Sequence, residues 1–214
     1  MPIVTLDILA TRARIAEAGR AAVGLGSTGP QERQGRYAQW LFPAAGDAKA
    51  RAAMADAMYS CGLNALACLR ASGVDAPELA EPYSTHIGAA LAWLASIAQR
   101  MGAYVPLSRA ADVNARVTAD GVGLDVGDVL VVDGPVHVIV LTDQIDGWTF
   151  TTSEGGAPEY DGKEHGMGIK SRTMRLRVSG GRLQTGTVAA DGSVTWGRPA
   201  LYAIDAGKLR RVDE

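Results

Sequence analysis

Residues 128–154 read DVLVVDGPVHVIVLTDQIDGWTFTTSE. Three runs stand out within them: 128–133 (DVLVVD), 136–143 (VHVIVLTD) and 148–154 (WTFTTSE). Each is rich in β-branched or aromatic residues and bounded by turn formers, the pattern of a strand. Gly134-Pro135 and Asp146-Gly147 separate the runs, and Asp-Gly between apolar stretches is a strong hairpin signal. With Asp146-Gly147 as a two-residue loop, Ile145 pairs with Trp148 and His137 with Gly156. Glu154 then becomes a diagonal neighbour of His137 on one sheet face, about 7–8 Å away between Cα atoms. Ile139, Leu141 and Phe150 share that face, which is expected to pack on a helix carrying Cys61.

Working outward, further strands are expected at 173–178, 182–188, 193–196 and 200–204, with turns at Gly180-Gly181 and Asp191-Gly192. Upstream the chain reads helical. Residues 4–23 place Ile8, Ile15 and Ala22 one heptad apart, and a Gly-rich loop containing Pro30 follows over 24–36. A short helix is expected over 48–57. The next starts at Ser60 and stops at Gly73, a good C-terminal signal. Another covers 88–101, with Leu91, Leu94, Ala95 and Ala98 as its apolar stripe. Helices first and a meandering antiparallel sheet afterwards imply an α+β fold. The first 45 residues form either a helical extension before a main domain over 46–214 or part of one domain over 1–214.

Composition narrows the function classes. Of 214 residues, 47% are apolar, enough for a substantial core. Twenty-one basic residues against 23 acidic ones, with no basic stripe, argue against a nucleic-acid partner. No apolar run approaches the roughly 20 residues that cross a bilayer, so no membrane span is expected. The N-terminus lacks the basic and apolar regions of a secretory signal, so synthesis in the cytoplasm is expected, with any export by another route. Two cysteines and three scattered histidines make no zinc-ligand spacing, so neither metal nor cofactor is expected. Cys61 and Cys68 on one helix would lie about 10 Å apart. A disulfide spans about 4.4–6.8 Å, so both read as free thiols.

Cys61 is the chemically placed one. Ser60 is a good N-cap, which puts Cys61 in the first helical turn. There the helix dipole and unsatisfied N–H groups favour a thiolate, and the same groups can face an oxyanion. Gly62 beside it keeps the backbone approachable, and Tyr59, two residues earlier, is a candidate for lining the oxyanion site or for packing under the helix. Taken alone, Cys61 is also consistent with a small buried apolar residue. Cys68, flanked by apolar residues two turns later, reads as core. His137 is the candidate base and Glu154 the group able to hold its second nitrogen; an ordinary solvated strand-end charge is the other reading of Glu154.

The order of these pieces resembles the NlpC/P60 and CHAP cysteine peptidases. The match is carried by Tyr59-Ser60-Cys61-Gly62-Leu63, Gly127-Asp128-Val129-Leu130-Val131-Val132, His137-Val138-Ile139-Val140 and Ser153-Glu154-Gly155-Gly156. These are similar to that family's cysteine helix start, its Gly-Asp strand, its His strand and its acidic strand end. The resemblance implies a papain-like fold, with N-terminal helices packed on a central antiparallel sheet. It implies a hydrolase that cuts amide bonds of bacterial peptidoglycan, at the peptide stem or at its junction with the glycan, through a covalent thioester. Cys61 would be nucleophile, His137 base and Glu154 the orienting group, acting on the wall after lysis, injection or non-classical export. Ser60 departs from the aspartate many members carry there, and Gly156 from the CHAP asparagine. A non-catalytic wall-binding or phage structural module, and a thiol acyltransferase, are the alternatives.

Other motifs carry less. Gly24-Leu25-Gly26-Ser27-Thr28-Gly29 spells G-x-G-x-x-G, yet a helical pattern precedes it and Pro30 follows, the wrong context for a dinucleotide site. His86 before a helix is a fallback base, His165 sits in a Gly-rich loop, and Trp148 reads as a hairpin or core aromatic. Residues 172–178 (RTMRLRV) alternate arginine with apolar side chains, as a half-exposed strand does.

Overall fold

The computed structural model describes residues 3–42, 60–79, 88–133, 136–160 and 165–211. The expected helix over 48–57 falls outside them. Four longer helices are described: α1 (Ile3–Ala22), α2 (Gln31–Leu41), α3 (Ser60–Ala71) and α4 (Gly88–Arg100). A fifth, α5 (Ala110–Asn114), is short. The strands are β1 (Tyr104–Pro106), β2 (Val129–Val132), β3 (His137–Asp146), β4 (Thr149–Tyr160), β5 (His165–Ser179), β6 (Arg182–Val188) and β7 (Val194–Ile204). Among the described residues no helix is long and apolar enough to cross a membrane.

The papain-like, α+β expectation of helices on an open central sheet is overturned. The strands run in the order β7-β2-β3-β4-β5-β6, and β6 pairs back onto β7, closing a six-stranded antiparallel barrel with β1 added beside β7. One strand causes this closure. The sequence reads as separate strands at 193–196 and 200–204, but the chain runs extended throughout, as β7. Its first half pairs with β6 (Val188↔Val194, Gly186↔Trp196) and its second half with β2 and β1 (Leu130↔Ala203, Tyr104↔Ile204). β5 is likewise longer than 173–178 suggested, because its first residues pair with the end of β4.

A closed barrel has an inside and an outside, and β2 and β3 bury both. Leu130, Ile139, Leu141 and Phe150 fill the interior with Met174, Leu176 and Leu183. Val129, Val131, Val138 and Val140 face outward, against Ile15, Leu63 and Leu66 of the helices. Burial on both faces explains why the β3 sequence begins as a nearly continuous apolar run. It also corrects an expectation: the face bearing Ile139, Leu141 and Phe150 packs inside the barrel, and α3 lies on the opposite face.

The β3–β4 hairpin turns one residue later than expected, with Asp146 pairing Thr149 around Gly147-Trp148. Two register shifts follow, and by Leu141↔Thr152 and Val140↔Ser153 the strands hold the register that the sequence implied. Gly147 is demanded by its neighbour, since a Cβ there would meet the Asp120 carbonyl oxygen at 1.6 Å.

Helix α1 is tied to the barrel by charge. Arg12 donates to Asp128 at 2.7 Å and to Asp205 at 2.5 Å, and Asp128 also accepts the Asp125 and Ala206 N–H groups. Gly127 lets the helix approach: its φ is +90°, and a Cβ would stand 2.5 Å from the Arg12 carbonyl oxygen. The Gly24–Gly29 loop links α1 to α2, the latter unforeseen over 31–36. Its backbone bridges Gly168 of β5, so it is a pairing segment and no phosphate cradle.

Candidate active site

Ser60 is the first helical residue of α3 and not the cap expected of it, and Cys61 follows in the first turn. The helix crosses the outer wall of the barrel with its N-terminus at the start of β3. There the Cys61 thiol hydrogen-bonds His137 and receives the backbone N–H of Val138. Cys61 therefore reaches the histidine around the strand end, while the bodies of the two side chains belong to opposite faces of β3.

His137 pairs with Val132 at the barrel mouth, on the interior-facing parity of its strand. Its Nε2 stands 3.0 Å from Glu154 Oε2, which leaves Nδ1 as the nitrogen for Cys61. The other carboxylate oxygen of Glu154 accepts the Thr152 hydroxyl at 2.8 Å, and Arg172 reaches within 3.8 Å of Oε2. Glu154 is only 6% exposed, so it is no solvated strand-end charge. Cys61, His137 and Glu154 thus form one hydrogen-bonded line.

Their protonation follows from that line. Burial would push the Cys61 thiol up, but the hydrogen bond and charge of His137, with the Val138 and Gly62 N–H groups, bring it below its ordinary value. Burial would pull His137 down; its bonds to Cys61 and Glu154, and their charges, raise it to about 9. Glu154 is likewise held below its ordinary range, against the effect of burial, by bonds from His137 and Thr152 and by the charges of His137 and Arg172. The arrangement favours thiolate, imidazolium and carboxylate together. Cys68, fully buried, is pushed up to about 12 and stays a thiol.

A Cβ on Gly62 would stand 3.1 Å from the Ala90 Cβ, so Gly62 also lets α4 close on the helix of Cys61. Tyr59 and His86 lie outside the described residues, and His165 opens β5. Trp148 sits at the hairpin, packed against the barrel core.

Sequence reasoning missed the groups that hold this line. Asn64, one turn after Cys61 and 1% exposed, accepts the Trp40 indole N–H at 3.0 Å and donates to Ser153 Oγ at 3.3 Å. It joins the cysteine helix to the residue before Glu154. A polar residue at the third position after Cys61, in an otherwise apolar helix, was the available signal. Thr152 and Arg172 carried none, because pairing of β4 with β5 makes them neighbours (Thr152↔Arg172).

Behind the imidazole, the barrel mouth opens into a cavity of about 310 Å³ lined by His137, Glu154, Gly156, Arg172 and Arg198 among others. Among the described residues, no group of His, Cys, Asp or Glu is arranged to hold a metal ion. Compared with known proteins, the chain matches no family model, no curated protein and no solved structure.

Proposed function

We propose that the protein is a cysteine-dependent amide hydrolase. The observation that carries this reading is the line from Cys61 through His137 to Glu154, with the thiol lowered and the imidazole raised. The Cys61 thiolate attacks an amide carbonyl carbon, forming a C–S bond, and the oxyanion faces N–H groups at the start of α3. The His137 imidazolium then gives its proton to the departing nitrogen as the C–N bond breaks, leaving a thioester. Neutral His137 takes a proton from water, hydroxide adds to the thioester, and the thiolate leaves with the acid product. Glu154 orients the ring throughout and stabilises its charged form.

Amide bonds of bacterial peptidoglycan, in the peptide stem or at its junction with the glycan, are the proposed substrate. That part rests on the resemblance of the Cys61, Gly127-Asp128, His137 and Glu154 stretches to NlpC/P60 and CHAP enzymes. The test is release of new amine groups from purified peptidoglycan by wild type, Cys61→Ala and Cys68→Ala. Amine release lost only in Cys61→Ala supports the hydrolase and its nucleophile. No release from several wall types, together with a Cys61 thiol no more reactive than a free one, defeats the proposal.

A further inference from the structure

The cavity at the barrel mouth lies on the far side of the imidazole from the thiol. His137 and Glu154 line it and Cys61 does not, and the ring nitrogen on that side, Nε2, is the one bound to Glu154. Chemistry at Cys61 runs through the other nitrogen, beside the start of α3. The cavity can therefore be filled while the thiol side stays open. It meets the line from Cys61 through His137 at its carboxylate end.

Its walls describe what fits. Besides His137 and Glu154, the charged side chains lining it are Arg172 and Arg198, so positive charge is in excess. Glu154 opposes an anion little: Oε2 is taken by His137, Oε1 by Thr152, and its charge is matched by the imidazolium. Arg172 stands 3.8 Å from Glu154 Oε2, beyond hydrogen-bond range, and its side chain is 40% exposed, so it can turn a guanidinium N–H toward a ligand. Ile139 and Met174, both buried, add an apolar wall. A volume of about 310 Å³ is at the small end for ligand pockets and has room for a compound of a few carbons. A guanidinium beside apolar side chains suits a small organic carboxylate, with its charge at Arg172 and its carbon chain on Ile139 and Met174. Inorganic phosphate would satisfy the arginine and leave the apolar wall bare.

We propose that the barrel mouth is a second site, which binds a small organic carboxylate at Arg172 and acts from there on the bond between Glu154 and His137. The proposal goes beyond the hydrolase reading and does not rest on it. The charged neighbours of His137 are Cys61 of α3 and Glu154 of β4, with Arg172 of β5 and Arg198 of β7 lining the same cavity. A carboxylate at Arg172 adds negative charge beside the ring and draws the guanidinium away from Glu154. Both effects favour the protonated imidazole, so the occupant tunes the line without touching the thiol.

The test uses the full chain, as wild type and as Cys61→Ala. Butyrate, its neutral isostere butyramide and inorganic phosphate are titrated by calorimetry, while NMR follows the Met174 methyl and the His137 ring. Butyrate is expected to bind at least about tenfold tighter than butyramide, the scale of one charge-assisted hydrogen bond, and tighter than phosphate. It should shift the Met174 methyl, move the His137 titration to higher pH, and bind Cys61→Ala as it binds the wild type. Arg172→Gln should remove the preference over butyramide. If that variant fails to fold, the Met174 shift in the wild type, present with butyrate and absent with butyramide, carries the test. No binding, equal affinity for butyrate and butyramide, or phosphate bound as tightly as butyrate overturns the proposal. So does a Met174 methyl or a His137 titration that stays in place, a preference that survives Arg172→Gln, or binding lost in Cys61→Ala. Amine release from peptidoglycan tests the hydrolase separately, so either reading can fail alone.

Discussion

His137 Nε2 lies 3.0 Å from Glu154 Oε2 across the mouth of the barrel, and this contact leaves the other ring nitrogen to Cys61. A buried carboxylate here does two things at once: it fixes the ring and it favours the imidazolium. Glu154→Gln keeps the shape and removes the charge. We expect kcat/KM to fall by about 10- to 100-fold, the worth of one charge-assisted bond of about 1.5–3 kcal/mol. Histidine NMR should show His137 titrating below the wild-type value of about 9. An unchanged His137 titration would contradict this role.

The alkylation rate of Cys61 with pH is a second check. The thiol lies below its ordinary 9.0 and His137 rises to about 9, so the thiolate–imidazolium pair occupies the window between the lowered thiol and about pH 9. The pair is lost in acid as the thiolate takes up a proton, and again above about pH 9 as His137 releases one. Activity should therefore form a broad bell, with macroscopic limbs belonging to the coupled pair. Iodoacetamide at neutral pH should modify Cys61 and spare Cys68.

Acid stability tests Glu154 independently. Its folded carboxyl titrates below the ordinary 4.5, so its contribution to stability is present above that value and lost as pH falls through the lower one. Glu154→Gln lacks this contribution. Between about pH 6 and about pH 3, wild-type Tm should fall further than that of Glu154→Gln. Parallel falls would show that the carboxylate is not held as described.

Asn64→Ala removes the polar tie between α3 and β4. It leaves the Trp40 N–H and the Ser153 hydroxyl without this partner, at about 1–3 kcal/mol for each group left unsatisfied. Thermal unfolding measures that cost. Because Asn64 holds the cysteine helix against the strand of Glu154, the pH profile of Cys61 alkylation should also move toward an ordinary thiol. A loss of Tm with an unmoved profile would make Asn64 structural only.

The ion pair of Arg12 with Asp128 predicts the largest effect on folding. Asp128 is 2% exposed, and burial already raises its carboxyl to about 7 against the charge of Arg12. Arg12→Ala leaves that carboxyl to bind a proton or remain an uncompensated charge, so stability should fall at neutral pH by up to about 3–5 kcal/mol and by less in acid, readable by urea denaturation. Gly127→Ala, at a φ of +90° with Arg12 backbone in the way, should act in the same direction.

The local structure was legible where one periodicity governs. Residues 4–23, Ser60 to Gly73 and 88–101 read as helices because their apolar spacing and end signals are carried by neighbouring residues, and α1, α3 and α4 occupy those places. The His137–Glu154 pairing was legible because register follows from counting away from a hairpin. That count survived an error at the turn, since two bulges restored the register before the strands reached the site.

Tertiary structure decided the rest. Strand pairing is a relation between distant segments, so nothing local announced that β7 would run through residues 197–199 and join β6 to β2. That one continuous strand turned an expected open sheet into a closed barrel. Closure in turn decided which face of β3 is interior, placing Ile139 and Leu141 inside and leaving Val138 and Val140 for the helices. Cys61, alone in its chemistry along the sequence, became a candidate nucleophile's thiolate only where the end of β3 brings His137 to it. A proton can be shared only across about 3 Å, and that distance is set by packing between elements that the sequence keeps 76 residues apart.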